Sequence, residues 1–259
     1  MNILMIGCGK MGGAMLRCWQ EIDHLSFTVA DPADQDLPAA VTHVRSDKEI
    51  DNKAFDLVVI ALKPQIVPEA MPAYSRFLKE ETCVISIAAG LSLQKLTGIL
   101  GNRPLVRVMP NLPALIGEGV TGLYANKQCE AGHKHVATNL MEAVGMALWV
   151  DSEDELDRLT AVSGSGPGYI FQVMESFVAA AEELGFPSNV ARDLVIRTLS
   201  GAANMAAATD ESLSTLRQSV TSKKGTTEAG LNVLRQDGML DNLFGATTFA
   251  AYKRAVELR

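Results

Sequence analysis

Short apolar segments alternate with stretches of helical periodicity from the start of the chain to about Val150. This alternation is typical of a parallel sheet whose strands are joined by crossover helices. Because segments such as Leu57–Leu62 are continuously apolar, helices should cover the sheet on both faces. We predict strands at Asn2–Ile6, Ser26–Ala30, Asp56–Leu62, Thr82–Ile87, Pro104–Met109 and Met146–Val150.

After Asp151 the β-type segments stop, and helix-forming residues dominate the rest of the chain. Breaks rich in Gly, Pro, Ser and Thr divide that part into four or five predicted helices. We therefore predict an α/β domain over residues 1–151 and an all-α domain over residues 152–259. The small-residue tract Ala202–Ala208 suits close helix packing, so we expect a homodimer through the helical domain.

Two serines are followed by an acidic residue three positions later, which is the spacing of a helix capping box. They are Ser46, before Glu49, and Ser152, before Glu155. We predict that each serine caps the start of a helix, and that the second one opens the helical domain.

Composition excludes several classes of partner. The formal net charge is −7 and no long run of one sign occurs, so we expect neither nucleic acid nor an anionic membrane as a partner. The 4 cysteines form no CxxC pair and have no suitably spaced histidine, so we predict no metal site and reduced thiols. With no leader and no apolar stretch of membrane length, a cytoplasmic protein is expected.

A GxGxxG motif stands directly between the first predicted strand and a predicted helix at Met11–Ile22. Its glycines allow a tight turn, close approach of a pyrophosphate to the backbone, and close packing of helix on strand. We therefore predict dinucleotide binding and an N-terminal Rossmann domain, with an ordinary strand-to-helix turn as the alternative. The residues predicted to bind the cofactor here are Gly7, Gly9, Lys10, Met11 and Gly12.

Two charged residues follow predicted strands. Asp31 stands about 20 residues beyond Gly12, where a carboxylate accepts hydrogen bonds from an adenosine ribose and repels a 2′-phosphate. No arginine follows in Pro32–Asp34, so Asp31 taken alone favours NADH; a turn aspartate is the alternative. Lys63 closes another strand and could meet cofactor phosphate or ribose, or be a solvated lysine.

Three further segments are too rich in Gly, Pro and small hydroxyls to lie inside a helix or strand: residues 107–111, 163–169 and 219–227. Together with the glycine motif and Ala61-Leu62-Lys63-Pro64, they resemble the pyrroline-5-carboxylate reductases across essentially the whole chain. The resemblance implies a Rossmann domain and a helical domain that interlocks with its twin in a homodimer, with further assembly up to a decamer of dimers. It also implies reduction of 1-pyrroline-5-carboxylate to L-proline by NADPH and/or NADH.

The resemblance assigns roles to several residues. Thr160 matches a threonine that faces the substrate, and its hydroxyl could reach the ring nitrogen; hydrogen bonding to its own helix is the alternative. Because no histidine lies in any motif, polarisation of the imine falls to Thr160 or Thr227. The residues matching cofactor-lining positions are Ala61, Leu62, Lys63, Pro64, Ala88, Ala89 and Asn111, although core packing would explain the two alanines Ala88 and Ala89 nearly as well.

The last motif has the features of a carboxylate-binding site. A helix is predicted at Glu228–Arg235, and the free N–H groups at its start favour an anion. We predict that Ser222, Gly225, Thr226 and Thr227 bind the substrate, the alternative being a corner with Thr227 as N-cap. Lys223-Lys224 stand where the family usually has Pro-Gly.

Two other functions remain open on the sequence. One is a different imine or ketone reductase of the same two-domain group, such as the β-hydroxyacid dehydrogenases, whose catalytic lysine lies in the helical domain. The other is a nucleotide-sensing protein that keeps the Rossmann fold without turnover.

Overall fold

The computed structural model describes residues 1–51 and 54–259, which form two compact units. The first unit contains Met1–Pro167 and Ala251–Arg259, and the second contains Gly168–Ala250. The residues 152–167 and 251–259 therefore pack with the N-terminal part of the chain. The sequence-based boundary between residues 151 and 152 stays a prediction about domains, and the compact units divide elsewhere.

An eight-stranded sheet forms the centre of the first unit, with strand order β3-β2-β1-β4-β5-β6-β7-β8 in the described part of the chain. Neighbouring strands are parallel except β6 and β7, which are antiparallel. The order changes direction between β1 and β4, where open α/β sheets bind ligands at the carboxyl ends of their strands. The strands are β1 Asn2–Ile6, β2 Ser26–Ala30, β3 Thr42–Val44, β4 Leu57–Ile60, β5 Cys83–Ser86, β6 Leu105–Met109, β7 Gly119–Ala125 and β8 Gly145–Trp149.

Helices cover both faces of this sheet. On one face, Met5 and its neighbours pack against α1 and α4, where the indole N–H of Trp19 donates to the carbonyl of Leu140 at 2.6 Å. On the other face, Leu4 packs with α2 and α3. The alternation of side chains along β1 thus supplies two buried cores. The helices are α1 Lys10–Trp19, α2 Val67–Tyr74, α3 Leu93–Leu100, α4 Ala131–Glu142 and α5 Glu153–Leu159.

The predicted fold class is confirmed, and all six predicted strands are present within one or two residues of their predicted ends. Two strands were missed. β3 has only three residues, and β7 contains Gly119 and Gly122 in place of an apolar run. A Cβ on Gly122 would lie 2.6 Å from Leu156, so β7 uses glycine to admit α5. The prediction of a wholly parallel sheet was wrong, because β7, which was not predicted, runs antiparallel to β6.

The two predicted capping serines differ. Ser152 caps α5, since its Oγ accepts the N–H of Glu155 at 3.1 Å. The side chain of Ser46 caps nothing, and the prediction for it was wrong. Glu49 instead accepts the backbone N–H of Arg45 at 2.9 Å, which leaves a single 3₁₀ turn at Asp47–Glu49.

The second unit is wholly helical in the residues described. Counting α5, residues 152–259 contain six α-helices and not four or five, because a break at Asp237 and Gly238, both with positive φ, was not predicted. Among the helices of the described residues, none combines the length and apolar character that spanning a membrane requires. The helices are α6 Gly166–Glu183, α7 Ser188–Ala207, α8 Leu213–Ser219, α9 Thr226–Leu234 and α10 Met239–Leu258, whose last residues belong to the first unit.

Candidate active site

The glycine-rich turn joins β1 to α1. Gly7 has a φ of +85°, and a Cβ there would lie 2.8 Å from the carbonyl oxygen of Ala61. A Cβ on Gly12 would lie 2.6 Å from Cε of Met5, so this glycine lets α1 approach β1 closely. A Cβ on Gly9 would meet nothing within 4 Å. The turn is therefore tightly packed beneath and open at Gly9, which leaves room for a pyrophosphate against the backbone.

The first turn of α1 presents uncapped N–H groups. Gly9 is the N-cap and has no side chain to satisfy them; Lys10 is exposed and Met11 is half-buried. A cavity of about 350 Å³ adjoins this turn. Burial, and then the charge of Asp31, raises the pKa of the Cys8 thiol inside the turn. Cys8 therefore stays protonated and packs in the core instead of acting as a nucleophile.

Asp31 follows β2, and its carboxylate is turned into the glycine-rich turn. Oδ2 accepts the N–H of Cys8 at 2.7 Å, and Oδ1 accepts the N–H of Ala33 at 2.9 Å. Oδ2 thus holds the glycine-rich turn, and Oδ1 holds the loop after β2. Neither bond was evident from the sequence. The expectation that Asp31 binds the ribose and selects NADH stays a prediction.

Two side chains of the unpredicted β3 region also reach this loop. The ring Nε2 of His43 lies 2.9 Å from the carbonyl oxygen of Asp31. Arg45 places Nη1 3.5 Å from the carbonyl oxygen of Pro32 and forms an ion pair with Asp34. The loop after β2 contains no arginine of its own. Arg45 nevertheless lies beside it, because β3 runs parallel to β2 and ends at the same edge of the sheet.

The carboxyl ends of β4 and β5 lie beside that of β1. The N–H of Ala61 donates to Ile6 at 2.8 Å, and the N–H of Ile87 donates to Ile60 at 3.0 Å. The sheet therefore brings the predicted cofactor residues after these strands to the edge that carries the glycine-rich turn. Of these, Lys63 and Ala89 are exposed, Ala61, Leu62 and Pro64 are half-buried, and Ala88 is buried.

Asn111, just after β6, is 6% exposed and joins three segments. Its Oδ1 accepts the N–H of Val120 in β7 at 2.8 Å. Its Nδ2 donates to the carbonyl of Ser163 at 3.0 Å. Ser163 lies in a π turn, Thr160–Gly164, that continues α5. The amide thereby fixes this turn to the sheet, and such π turns are frequent at functional sites.

Thr160 begins the π turn and is half-buried. Its carbonyl accepts the N–H of Ser165 at 2.9 Å, and its Oγ1 donates to the carbonyl of Leu156 at 2.7 Å. The hydroxyl thus makes the helix bond that was the alternative to a substrate contact. Its lone pairs remain able to accept a hydrogen bond, so the predicted substrate role is restricted to acceptance.

Sequence reasoning missed a buried ionic cluster next to this turn. Arg107, in the middle of β6, lies 3.0 Å from Glu153 and also pairs with Asp157, both on α5. Glu153 in turn accepts the N–H of Leu93 at 2.8 Å. The sequence did contain a signal for this cluster: Arg107 is a charged residue inside an apolar strand, and a buried charge requires partners of opposite charge.

The second unit holds the remaining predicted residues in the loop between α8 and α9. The helix α9 begins at Thr226 with Gly225 as N-cap, two residues before the predicted start, so Thr227 is not the cap. The N–H of Gly225 donates to Ser222 at 3.0 Å, and a Cβ on Gly225 would collide with the Ser222 hydroxyl. The hydroxyls of Ser222, Thr226 and Thr227 have no partner among the described residues and are exposed.

Residues 1–51 and 54–259 contain no group of three His, Cys, Asp or Glu side chains arranged to hold a metal ion.

Comparisons with known families agree with this geometry. The family model described as pyrroline-5-carboxylate reductase dimerisation matches residues 153–258. The model described as NADP oxidoreductase, coenzyme F420-dependent, matches residues 2–90. The helical part and the nucleotide-binding part are thus matched separately.

Whole-chain relatives carry the same name. The pyrroline-5-carboxylate reductase of Pseudomonas aeruginosa is 38% identical, with 99% of this chain and 96% of the relative covered. The solved structure of a Coxiella burnetii pyrroline-5-carboxylate reductase has a TM-score of 0.91 at 36% identity, covering 99% of this chain and 98% of that one. The Plasmodium falciparum pyrroline carboxylate reductase, solved with NADP bound, has a TM-score of 0.87 at 25% identity, covering 99% and 97%.

The resemblance predicted from the order and spacing of five motifs is thereby confirmed. With such identity over nearly its whole length, the chain belongs to the pyrroline-5-carboxylate reductase family.

Proposed function

We propose that this chain is an NAD(P)H-dependent oxidoreductase that reduces 1-pyrroline-5-carboxylate to L-proline, the last step of proline biosynthesis. Family membership supports the reaction. The observation that carries it is that one sheet edge bears both the open turn at Gly9 and the threonine turn at Thr160, which Asn111 fastens to the strands.

The cofactor residues are proposed on the fit of the turn to a dinucleotide. When bound, the reduced nicotinamide supplies the hydride. Backbone N–H groups at the start of α1 receive the pyrophosphate, and the exposed ammonium groups of Lys10 and Lys63 add positive charge at the same edge. The set is Gly7, Gly9, Lys10, Met11, Gly12, Asp31, Ala61, Leu62, Lys63, Pro64, Ala88, Ala89 and Asn111.

Thr160 acts as an acceptor. Because its hydroxyl proton is committed to Leu156, its oxygen can accept a hydrogen bond from the N–H of a protonated imine. The substrate therefore arrives with its nitrogen protonated, and that proton remains on the ring nitrogen of proline. No acid residue has to release a proton during the hydride step, which accords with the absence of histidines from the motifs.

The substrate carboxylate is proposed to bind at the start of α9. Uncapped N–H groups there carry partial positive charge, and the unpaired hydroxyls of Ser222, Thr226 and Thr227 can donate to an anion. Gly225 lets the loop fold back onto Ser222. Holding the carboxylate fixes the ring, and orientation of this kind supplies much of the rate enhancement in two-reactant steps.

We further propose a homodimer through the C-terminal helices and a decamer assembled from such dimers, in the cytoplasm. The match to a dimerisation family supports self-association. Large apolar side chains of the second unit, including Phe171, Phe177 and Leu243, are 48% to 61% exposed, as expected for surfaces buried by a partner. Light scattering at several concentrations tests both sizes.

The proposed reaction is tested by steady-state oxidation of NADPH and NADH, in parallel, with racemic pyrroline-5-carboxylate and with proline identified as product. Turnover with stoichiometric proline is the expected result. Dinucleotide binding without turnover would overturn the reductase proposal in favour of a binding protein. Turnover of a ketone but not of the cyclic imine would indicate the other reductases.

A further inference from the structure

We infer that Arg45 selects NADPH over NADH by binding the 2′-phosphate of the adenosine ribose. The inference rests on the proposed dinucleotide site and goes beyond it, since it names the residue that distinguishes the two cofactors. It reverses the cofactor preference that Asp31 suggests from sequence alone.

The position of Arg45 is set by the sheet. β2 and β3 are parallel, with Ala30 opposite Val44, so the residues Asp31 and Arg45 leave the same edge side by side. The N–H of Asp31 donates to the carbonyl of Val44 at 3.0 Å, which extends the pairing one step further. Arg45 therefore stands next to the position where a Rossmann domain holds the adenosine ribose.

Asp31 opposes a phosphate less than its charge suggests. Its Oδ2 and Oδ1 each accept a backbone N–H, from Cys8 and Ala33, which orients the carboxylate along the loop. These two donors also partly neutralise it. Asp31 thus holds the glycine-rich turn in place. Neighbouring side chains then determine whether the site prefers a ribose hydroxyl or a 2′-phosphate.

The guanidinium of Arg45 is available for exchange. It pairs with Asp34 and lies 3.5 Å from the carbonyl oxygen of Pro32, but the two charged side chains are 56% and 85% exposed. Exposed pairs of this kind are held weakly, so a phosphate dianion with bidentate geometry can displace the carboxylate. The backbone N–H of Arg45 donates to Glu49, so the backbone is held at this position while the side chain stays exposed to solvent.

Ser46 supplies a second donor beside Arg45. Its hydroxyl stands at the N-cap position of the 3₁₀ turn yet makes no capping bond, and no other partner occurs in residues 1–51 or 54–259. A hydroxyl adjacent to an arginine is a common partner for a phosphate oxygen. The proposed contact with the phosphate thus gives a function to the Ser46 hydroxyl, which caps no helix.

The test compares adenosine 2′,5′-bisphosphate with adenosine 5′-monophosphate by isothermal titration of the whole protein. These probes differ only in the 2′-phosphate and need no turnover. We expect the bisphosphate to bind at least about tenfold more tightly, as one charge-assisted hydrogen-bonded pair allows. Arg45→Gln should abolish most of this preference and leave the monophosphate affinity unchanged.

The variant Asp34→Asn distinguishes a role of Arg45 in phosphate binding from a role in holding the loop after β2. If Arg45 only held the loop through Asp34, both variants would act alike. As a phosphate ligand, Arg45 is freed by Asp34→Asn, so bisphosphate affinity should rise, by up to about fivefold, whereas Arg45→Gln lowers it. Arg254→Gln removes a somewhat more exposed arginine that pairs with Glu257, and should change the affinity for neither probe.

The kcat/KM ratio of NADPH to NADH should fall in Arg45→Gln by the same factor as the binding preference. Equal binding of the two probes to the unmodified protein, or an equal loss of both in Arg45→Gln, would overturn the role of Arg45 and leave the proposed reaction standing. Binding of neither probe would remove the dinucleotide site, and the proposed function with it.

Discussion

Arg107 and Asp157 form an ion pair that is almost wholly excluded from water: Nη2 of the arginine lies 3.6 Å from Oδ1 of the aspartate, and their side chains are 5% and 1% exposed. Arg107 stands on β6 four residues before Asn111, and Asp157 stands on α5 three residues before Thr160. The pair therefore clamps the helix to the sheet at one end, while the Asn111 to Ser163 bond clamps the π turn at the other.

Removing the arginine should destabilise the protein strongly. Arg107→Met removes the buried cation from Glu153 and Asp157, although the partly exposed Arg259 stays 3.0 Å from Asp157. The loss should therefore lie at the lower end of the range for broken buried pairs, about 3 kcal/mol. The free energy of unfolding, from urea titration at fixed protein concentration, measures the loss. Arg254→Met, at an exposed arginine, should change it by less than about 0.5 kcal/mol. Similar values for the two variants would contradict a structural role for the cluster.

The contribution of Asp157 to the free energy of unfolding should fall as the pH rises. Burial raises the pKa of its carboxyl above the ordinary 3.8, against the attraction of Arg107 and Arg259. The folded state then binds more protons than the unfolded state above pH 3.8, so this group's stabilising contribution is complete below that pH and is lost as the pH rises through the raised folded value.

The measurement is urea unfolding of the unmodified protein and of Asp157→Asn across the acidic range up to neutrality. Because the asparagine does not titrate, the stability of the unmodified protein relative to the variant should decrease as the pH rises. A constant difference would show that the arginines offset burial at this carboxyl, and the opposite slope would show that they outweigh it.

Thr160→Val should impair the reaction without impairing cofactor binding. The substitution keeps the shape and removes the oxygen proposed to accept the iminium N–H, a hydrogen bond to a charged group, so kcat/KM should fall about tenfold to a hundredfold. Thr160→Ser keeps the oxygen and should retain most activity. Equal losses in both variants would point to packing of the π turn, and an unchanged dissociation constant for NADPH shows that the nucleotide site is intact.

The periodicity of the chain predicted most of the fold. Apolar runs buried on both faces predicted six of the eight strands in the described part of the chain. The glycine spacing predicted a turn in which Gly7 and Gly12 leave no room for a Cβ and Gly9 faces open space. β3 and β7 were not predictable in this way, since three residues carry no period and Gly119 and Gly122 replace apolar side chains where β7 packs closely against its neighbours.

The site was predicted less completely, because long-range partners decide it. Asp31 was recognised from its distance to the glycine motif, but its bond to Cys8 depends on how the loop after β2 folds back. Arg45 was missed since it reaches that loop from a strand too short to predict. Arg107 lay within a recognised motif, yet its partners Glu153 and Asp157 stand more than forty residues away.

Thr227→Ala should raise KM for pyrroline-5-carboxylate or lower kcat, because it removes one hydroxyl donor from the proposed carboxylate site. One such hydrogen bond to an anion corresponds to about a tenfold effect or more. NADPH binding should stay nearly unchanged. Thr227→Ser serves as the control, since it retains the donor, and unchanged kinetics in Thr227→Ala would remove Thr227 from the site.

Lys224→Gly should stabilise the protein. Lys224 has a φ of +61°, in the left-handed region, and stands where the resemblance places the glycine of a Pro-Gly pair. Such a conformation costs a side chain about 1 kcal/mol, part of which the greater freedom of glycine in the unfolded chain offsets. A net gain of about 0.5 kcal/mol in the free energy of unfolding is expected.

Lys223→Gly is the matched control for that gain. Lys223 is not among the residues with positive φ, so a glycine there only enlarges the unfolded ensemble and should lower stability by about 0.5–1 kcal/mol. The two neighbouring substitutions remove the same charge, and their opposite signs would therefore isolate the backbone term. Glycine keeps the backbone N–H that donates to Glu228 at 2.6 Å, so a loss of stability in both variants would mean that the entropy of the unfolded chain outweighs the relief of the positive φ at Lys224.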